Sequence, residues 1–172
     1  MSADFRLIIL DTAVFLQGAS FSRKDIDVAV PEEVITEVKS RVPKLRLEQL
    51  IAQGSLQIRG ATKTGIEEAK QFAEETGDLQ NLSSADIGVI ALACEQKKLG
   101  IEPIVYTGDY SIQNVLKSQG VKFKSIANDG IKQTIKWVFK CEACESKFKK
   151  QPEGNTCPDC GTVGMIKRIP SK

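Results

Sequence analysis

"RLIILDTAVFL", residues 6–16, is an apolar run interrupted by a single carboxylate, Asp11. Taking a charge out of water is costly unless something compensates. The acid at the end of this stretch therefore has two readings: it caps the helix that follows, or it is one wall of an acidic site that takes a cation. The arrangement recurs in "IEPIVYTGDYSIQNVL", residues 101–116, which reads as buried strand, Thr-Gly-Asp turn and helix, with Asp109 at the junction.

Around these two stretches the chain alternates. Short apolar runs at 6–10, 27–30, 55–58, 103–106 and 121–126 are separated by helical patterns near 12–17, 31–41, 43–53, 64–76, 84–98 and 110–119. Pro31 suits a first helical turn, and Gly54, Gly77, Gly100 and Gly120 suit helix ends. This pattern predicts an α/β fold, a mostly parallel sheet flanked by helices, with its ligand crevice at the carboxyl ends of the strands.

After residue 127 the pattern changes. A turn or linker at Asn128-Asp129-Gly130 leads into one new strand, a cysteine-rich segment and a short tail. The expected organisation is an α/β domain over 1–127, a linker over 128–136, a small module over 137–166 and a flexible tail over 167–172. The 172 residues suffice for one ordinary domain and this appendage.

The module carries Cys141, Cys144, Cys157 and Cys160 in C-x2-C-x12-C-x2-C spacing. Two short turns, each presenting two thiolates, build the closed tetrahedral shell of a structural zinc site. So small a module has too little core to fold alone, so one zinc ion is expected to stabilise it. The competing reading, two disulfides, conflicts with the cytoplasmic setting inferred from the absence of a basic, cleavable leader in "MSADFRLIIL". Cys94, in "VIALACEQ", falls on an apolar helix face and reads as a buried thiol.

Net charge is +2, unevenly spread: about −3 over residues 1–130 and about +5 over 131–172. A basic module on an acidic body fits a polyanionic partner, and equally a solvated lysine-rich face. Lys147, Phe148, Lys149 and Lys150 are candidate RNA contacts on the module, and Lys39, Arg41, Lys44 and Arg46 on the body. Trp137 reads as module core.

The chain has no histidine. That excludes a histidine base, a Ser-His-Asp triad and imidazole metal ligands. Phosphate-binding loops of the G-x-x-x-x-G-K-[ST] and G-x-G-x-x-G types are absent, and no D-x-D follows the first strand. What remains is carboxylates. Asp86, in "LSSADIGVIALA", stands three residues after Ser83, the spacing of a capping box; Glu37, in "PEEVITEVKS", flanks the apolar face of its helix. Singly, each acid has a structural reading as a cap or a solvated side chain. Together, Asp11, Glu37, Asp86 and Asp109 gather at one end of the expected sheet and would repel one another. Hard divalent cations relieve such repulsion, and magnesium or manganese phosphoryl chemistry follows.

In this order, "LDT", "EVITEV", "SSADIGVIALA" and "VYTGDYSIQNV" resemble the PIN-domain nucleases over residues 6 to about 126. With the four-cysteine ribbon behind them, the whole chain is similar to the Nin-one-binding endonuclease family of small-ribosomal-subunit assembly, in its compact archaeal form. The resemblance implies a metal-dependent endoribonuclease that trims precursor small-subunit rRNA at its 3′ end. Its partners would be that rRNA, the pre-ribosomal small subunit and assembly-factor proteins, with no membrane. Carried over by motif, Asp11, Glu37, Asp86 and Asp109 form the catalytic quartet. Asp11, Asp86 and Asp109 would be the main magnesium or manganese ligands, with Glu37 binding directly or through water. Thr12 and Thr107 stand beside the acids as second-tier candidates. Asp78, in "TGDLQN", falls outside the quartet and reads as a loop residue. Two alternatives stay open: a non-catalytic RNA-binding assembly factor on the same folds, and a toxin-type PIN ribonuclease.

Overall fold

The computed structural model describes residues 7–16, 26–126 and 130–171. Arg6, Gln17, the turn residues Asn128 and Asp129, and the terminal Lys172 lie outside these.

Five strands form one parallel sheet: β1 (Leu7–Leu10), β2 (Asp27–Val30), β3 (Gln57–Ile58), β4 (Ile104–Thr107) and β5 (Lys122–Ser125), in the order β3-β2-β1-β4-β5. All four residues of β1 are buried, as befits a central parallel strand covered on both faces. The chain runs outward from β1 to β2 and β3, then returns to the other side of β1 for β4 and β5. The order therefore reverses between β1 and β4, and in open parallel sheets ligands bind at the carboxyl ends of the strands at that reversal.

The helices are α1 (Thr12–Leu16), α2 (Glu32–Glu37), α3 (Arg41–Ala52), α4 (Lys63–Thr76), α5 (Ser84–Lys98) and α6 (Tyr110–Ser118). α5 is buried almost all round from Ala85 to Cys94, with Ala85, Gly88, Ala91 and Ala93 letting neighbours approach closely. The single helix expected over 31–41 is shorter. α2 ends at Glu37, where Val38 leaves the helical region with ψ 90, and α3 begins afresh after Ser40. Pro43 accounts for the new start, since its missing N–H costs nothing in a first turn.

The cysteine module is a three-stranded antiparallel sheet, β7-β6-β8, built from β6 (Trp137–Cys141), β7 (Lys147–Phe148) and β8 (Ile166–Pro170). Residues 167–170 are thus not a loose tail. They pair with β6 from Cys141–Ile166 to Trp137–Pro170, and the Ser171 N–H donates to the Lys136 carbonyl at 2.7 Å. Two buried amides of α6 tie down the linker. Gln113 accepts from Ile131 N–H at 3.0 Å, and Asn114 both accepts from Ile135 N–H and donates to its carbonyl, each at 2.7 Å.

The ribbon seats on the nuclease domain through Asp78. This carboxylate is 1% exposed, accepts from Asn114 Nδ2 at 2.6 Å and pairs with Arg168 of β8, whose guanidinium lies 4.3 Å from the centre of the Trp137 ring. Gly77 makes the approach possible: it takes φ +76, and a Cβ there would meet Trp137 Cβ at 2.7 Å. Asp78 is therefore a loop residue, as read, that also serves as a buried anchor, and Trp137 sits half-buried in the seam between the modules rather than at the ribbon's centre.

Candidate active site and metal centre

Asp11 follows β1 and Asp109 follows β4, the two strands at the reversal of the sheet. The Asp11 N–H donates to the Tyr106 carbonyl at 3.1 Å, extending the ladder to the acid itself. Thr107, fully buried, joins the two acids: its hydroxyl donates to Asp11 Oδ2 at 2.7 Å and accepts from the Asp109 N–H at 3.0 Å. Asp109 in turn caps α6, with Oδ1 accepting from Ser111 N–H at 2.6 Å and Ile112 N–H at 3.2 Å. Asp86 completes the capping box of α5: it accepts from Ser83 N–H at 2.7 Å, and its own N–H donates to Ser83 Oγ at 3.3 Å.

The capping readings of Asp86 and Asp109 therefore hold, and they do not compete with a functional one. Each cap engages one carboxylate oxygen and fixes the direction of the other. Glu37 reaches the group from the C-terminal end of α2, where Thr12 Oγ1 donates to its Oε2 at 2.7 Å. A carboxylate there opposes the helix dipole, so this placement is not explained by helix stability.

All four acids line one cavity of about 430 Å3, together with Thr12, Ala13, Val38, Lys39 and Ser40. Asp11 is 3% exposed. Burial pushes its pKa up to about 6, opposed by the Thr107 hydrogen bond and reinforced by the charges of Asp86 and Asp109. Asp86 is also raised, chiefly by burial, with Ser83 pulling it down and Asp109 and Glu37 adding repulsion. Among the described residues no lysine or arginine pairs with any of the four. Carboxylates raised chiefly by burial, with their acidic neighbours adding repulsion and no paired cation among the described residues, form a donor set suited to a hard divalent ion with oxygen ligands.

The cysteines form a tighter cluster. All four Sγ atoms lie within 4.8 Å of one another, with Cys141–Cys160 at 3.8 Å and Cys144–Cys157 at 3.6 Å. A tetrahedral ion with metal–sulfur bonds of about 2.3 Å has sulfur–sulfur edges of about 3.8 Å, so the cage fits. The thiols are not disulfide-bonded. Hydrogen bonds with the hydroxyl and backbone of Thr162 pull Cys160 down to about 6, toward the thiolate a metal requires. Cys94 is the opposite case. It is buried on α5, and burial pushes it up to about 11, which makes it an inert core thiol.

Of the candidate RNA contacts, Lys39 lines the acidic cavity, while Arg41, Lys44 and Arg46 are exposed along α3. Lys147 and Lys149 are exposed on the ribbon; Lys150 pairs with Glu74 of α4, and Phe148 is half-buried opposite Phe139.

Residues 8–96 match the family described as the PIN domain of ribonuclease. Over 165 residues the chain is 38% identical to Endoribonuclease Nob1 of Pyrococcus abyssi, covering 96% of this chain and 94% of that protein. The chain belongs to the Nob1 family of PIN-domain endoribonucleases. Endoribonuclease Nob1 of Archaeoglobus fulgidus is 33% identical over 162 residues, 94% of this chain and 90% of that protein. Similarity extends more weakly to Ribonuclease VapC1 of Thermoplasma acidophilum, 26% identical over 90% of this chain and 75% of that protein. The match to these Nob1 relatives spans both modules of this chain. No helix among the described residues is long and apolar enough to cross a membrane.

Proposed function

We propose that this endoribonuclease trims precursor small-subunit rRNA at its 3′ end during ribosome assembly in the cytoplasm, using magnesium or manganese at the acidic cavity and one structural zinc in the ribbon. The observation that carries the reading is the convergence of Asp11, Glu37, Asp86 and Asp109 on one cavity, with no pairing lysine or arginine among the described residues, in a chain similar to Nob1 over nearly its whole length.

When a divalent ion is bound, it supplies the water activation and charge neutralisation that a histidine-free site otherwise lacks. Asp11, Asp86 and Asp109 would be its ligands. Thr107 holds Asp11 and Asp109 in register, and the caps at Ser83 and α6 keep the carboxylates from swinging out to solvent. Glu37, oriented by Thr12, stands on the facing wall as the base or water-mediated ligand. Lys39 at the cavity wall, with Arg41, Lys44 and Arg46 beyond it, holds the RNA backbone by charge, while Lys147, Phe148 and Lys149 engage RNA or the pre-ribosomal subunit farther off. The similarity to VapC1 favours one competing reading, a ribonuclease indifferent to rRNA.

The test is cleavage of an RNA spanning the precursor 3′ end, beside unrelated RNAs, with manganese present. A discrete cut in the precursor is expected, lost by at least about 100-fold in Asp11→Asn and abolished by chelator. Full activity in that variant or in excess chelator contradicts the mechanism; equal cutting of all RNAs favours the competing reading.

A further inference from the structure

We propose that the seam between the nuclease domain and the ribbon is a base-binding subsite for the single-stranded RNA substrate, read by the side-chain amides of Gln80, Asn81 and Gln151. The proposal rests on the ribonuclease reading and adds sequence recognition to it.

The seam encloses a cavity of about 170 Å3 lined by Gly77, Gln80 and Asn81 from one module and Phe139, Gln151 and Arg168 from the other. A second cavity of about 160 Å3 adjoins it, sharing Gly77, Gln80, Phe139 and Gln151 and adding Lys149. Among the described residues no hydrogen bond engages the side chains of Gln80, Asn81 or Gln151, whereas the buried Gln113 and Asn114 are both fully committed. Three amides, exposed at Gln80 and Asn81 and half-buried at Gln151, thus line one recess without a protein partner among the described residues.

A carboxamide presents a donor and an acceptor side by side, the pattern that matches a base edge with two hydrogen bonds. Single-stranded RNA offers those edges when its bases are unstacked. Phe139 and the bare backbone of Gly77 give the recess apolar walls for the base faces. Lys149, which forms no ion pair among the described residues, supplies a cation for the adjoining phosphate. A protein partner fits less well, because none of the exposed large apolar side chains, such as Val42, Leu45 or Met165, lies at this recess.

Position favours the same ligand. Asn81 precedes by two residues Ser83, whose cap fixes Asp86. At most about 17 Å of chain separates Asn81 from that acid, so the seam lies within a few nucleotides' reach of the acidic cavity. The Asp78–Arg168 pair holds the two walls together.

The experiment uses the full, zinc-loaded chain carrying Asp11→Asn, so that RNA binds without being cut. Affinities for hexamers of A, C, G and U are compared by fluorescence anisotropy. One base is expected to be preferred by about tenfold, the scale of a good bidentate contact. Combining Asn81→Ala with Gln151→Ala, both surface changes that leave the core intact, is expected to erase the preference while leaving the salt dependence of binding unchanged. Equal affinity for the four hexamers, or a preference that survives both substitutions, overturns the subsite alone. Failure of all four to bind contradicts the subsite and the ribonuclease reading together.

Discussion

Asp11 is the residue where stability and function pull in opposite directions. Its folded-state pKa, about 6, stands above the ordinary 3.8 because burial disfavours the charge. Between those values the folded protein holds a proton that the unfolded chain has released, so stability is lost as pH rises through that window. The cost at neutral pH is about 3 kcal/mol. Asp11→Asn keeps the shape and can still accept from Thr107. It is therefore expected to raise Tm at pH 7 by about 5 °C, with the gain fading as pH falls below 4 and shrinking when magnesium is added. Calorimetry from pH 4 to 7 checks this; a lower Tm at pH 7 would mean that the charge is not penalised. The position of Asp11 was legible because a lone carboxylate in an apolar strand has few structural excuses. Its bond to Thr107 was not, since the two residues are 96 positions apart and only the β1–β4 pairing joins them.

At the scale of elements, the site is made by starts and ends. β1 and β4 deliver Asp11 and Asp109 beyond their carboxyl termini, α5 holds Asp86 in its first turn, Asp109 caps α6, and α2 stops at Glu37. The strand and helix alternation was readable because apolar runs and helical periods leave different spacings, and the S-x-x-D of Ser83 and Asp86 announced the cap of α5. The break between α2 and α3 was readable, but it falls at 38–40 rather than after 41, because Val38-Lys39-Ser40 carries no strong breaker and the apolar positions continue across it. Ser83→Ala removes half of the capping box. It is expected to cost about 1 kcal/mol in chemical denaturation and to lower cleavage more than it lowers RNA affinity, since it loosens the first turn that carries Asp86 although the carboxylate keeps its bond from the residue-83 N–H. A loss in affinity equal to the loss in cleavage would show that the cap serves the fold alone.

For the molecule as a whole, the ribbon's place matters as much as its metal. The C-x2-C pairs made the cage legible from spacing, but nothing local marked Asp78 as its seat: a Gly-Asp after a helix reads as an ordinary turn, and its partner Arg168 lies 90 residues on. The same gap made 167–170 read as a tail, because a strand of five residues with Lys167 and Arg168 shows its role only when β6 is beside it. Asp78→Ala leaves Arg168 partly buried without its anion and is expected to destabilise the fold by about 3 kcal/mol. NMR relaxation of the zinc-loaded variant is expected to show the ribbon tumbling apart from the nuclease domain, whereas unchanged common tumbling would deny the anchor its role. The central claim, that carboxylates from four distant positions hold one divalent-ion site, is tested most directly by titrating manganese into the isotopically labelled chain. Substoichiometric metal should broaden the amide signals around Asp11, Glu37, Asp86 and Asp109 first, and Asp11→Asn should suppress that broadening. Signals that stay sharp around these four acids, or broaden first elsewhere, would contradict it.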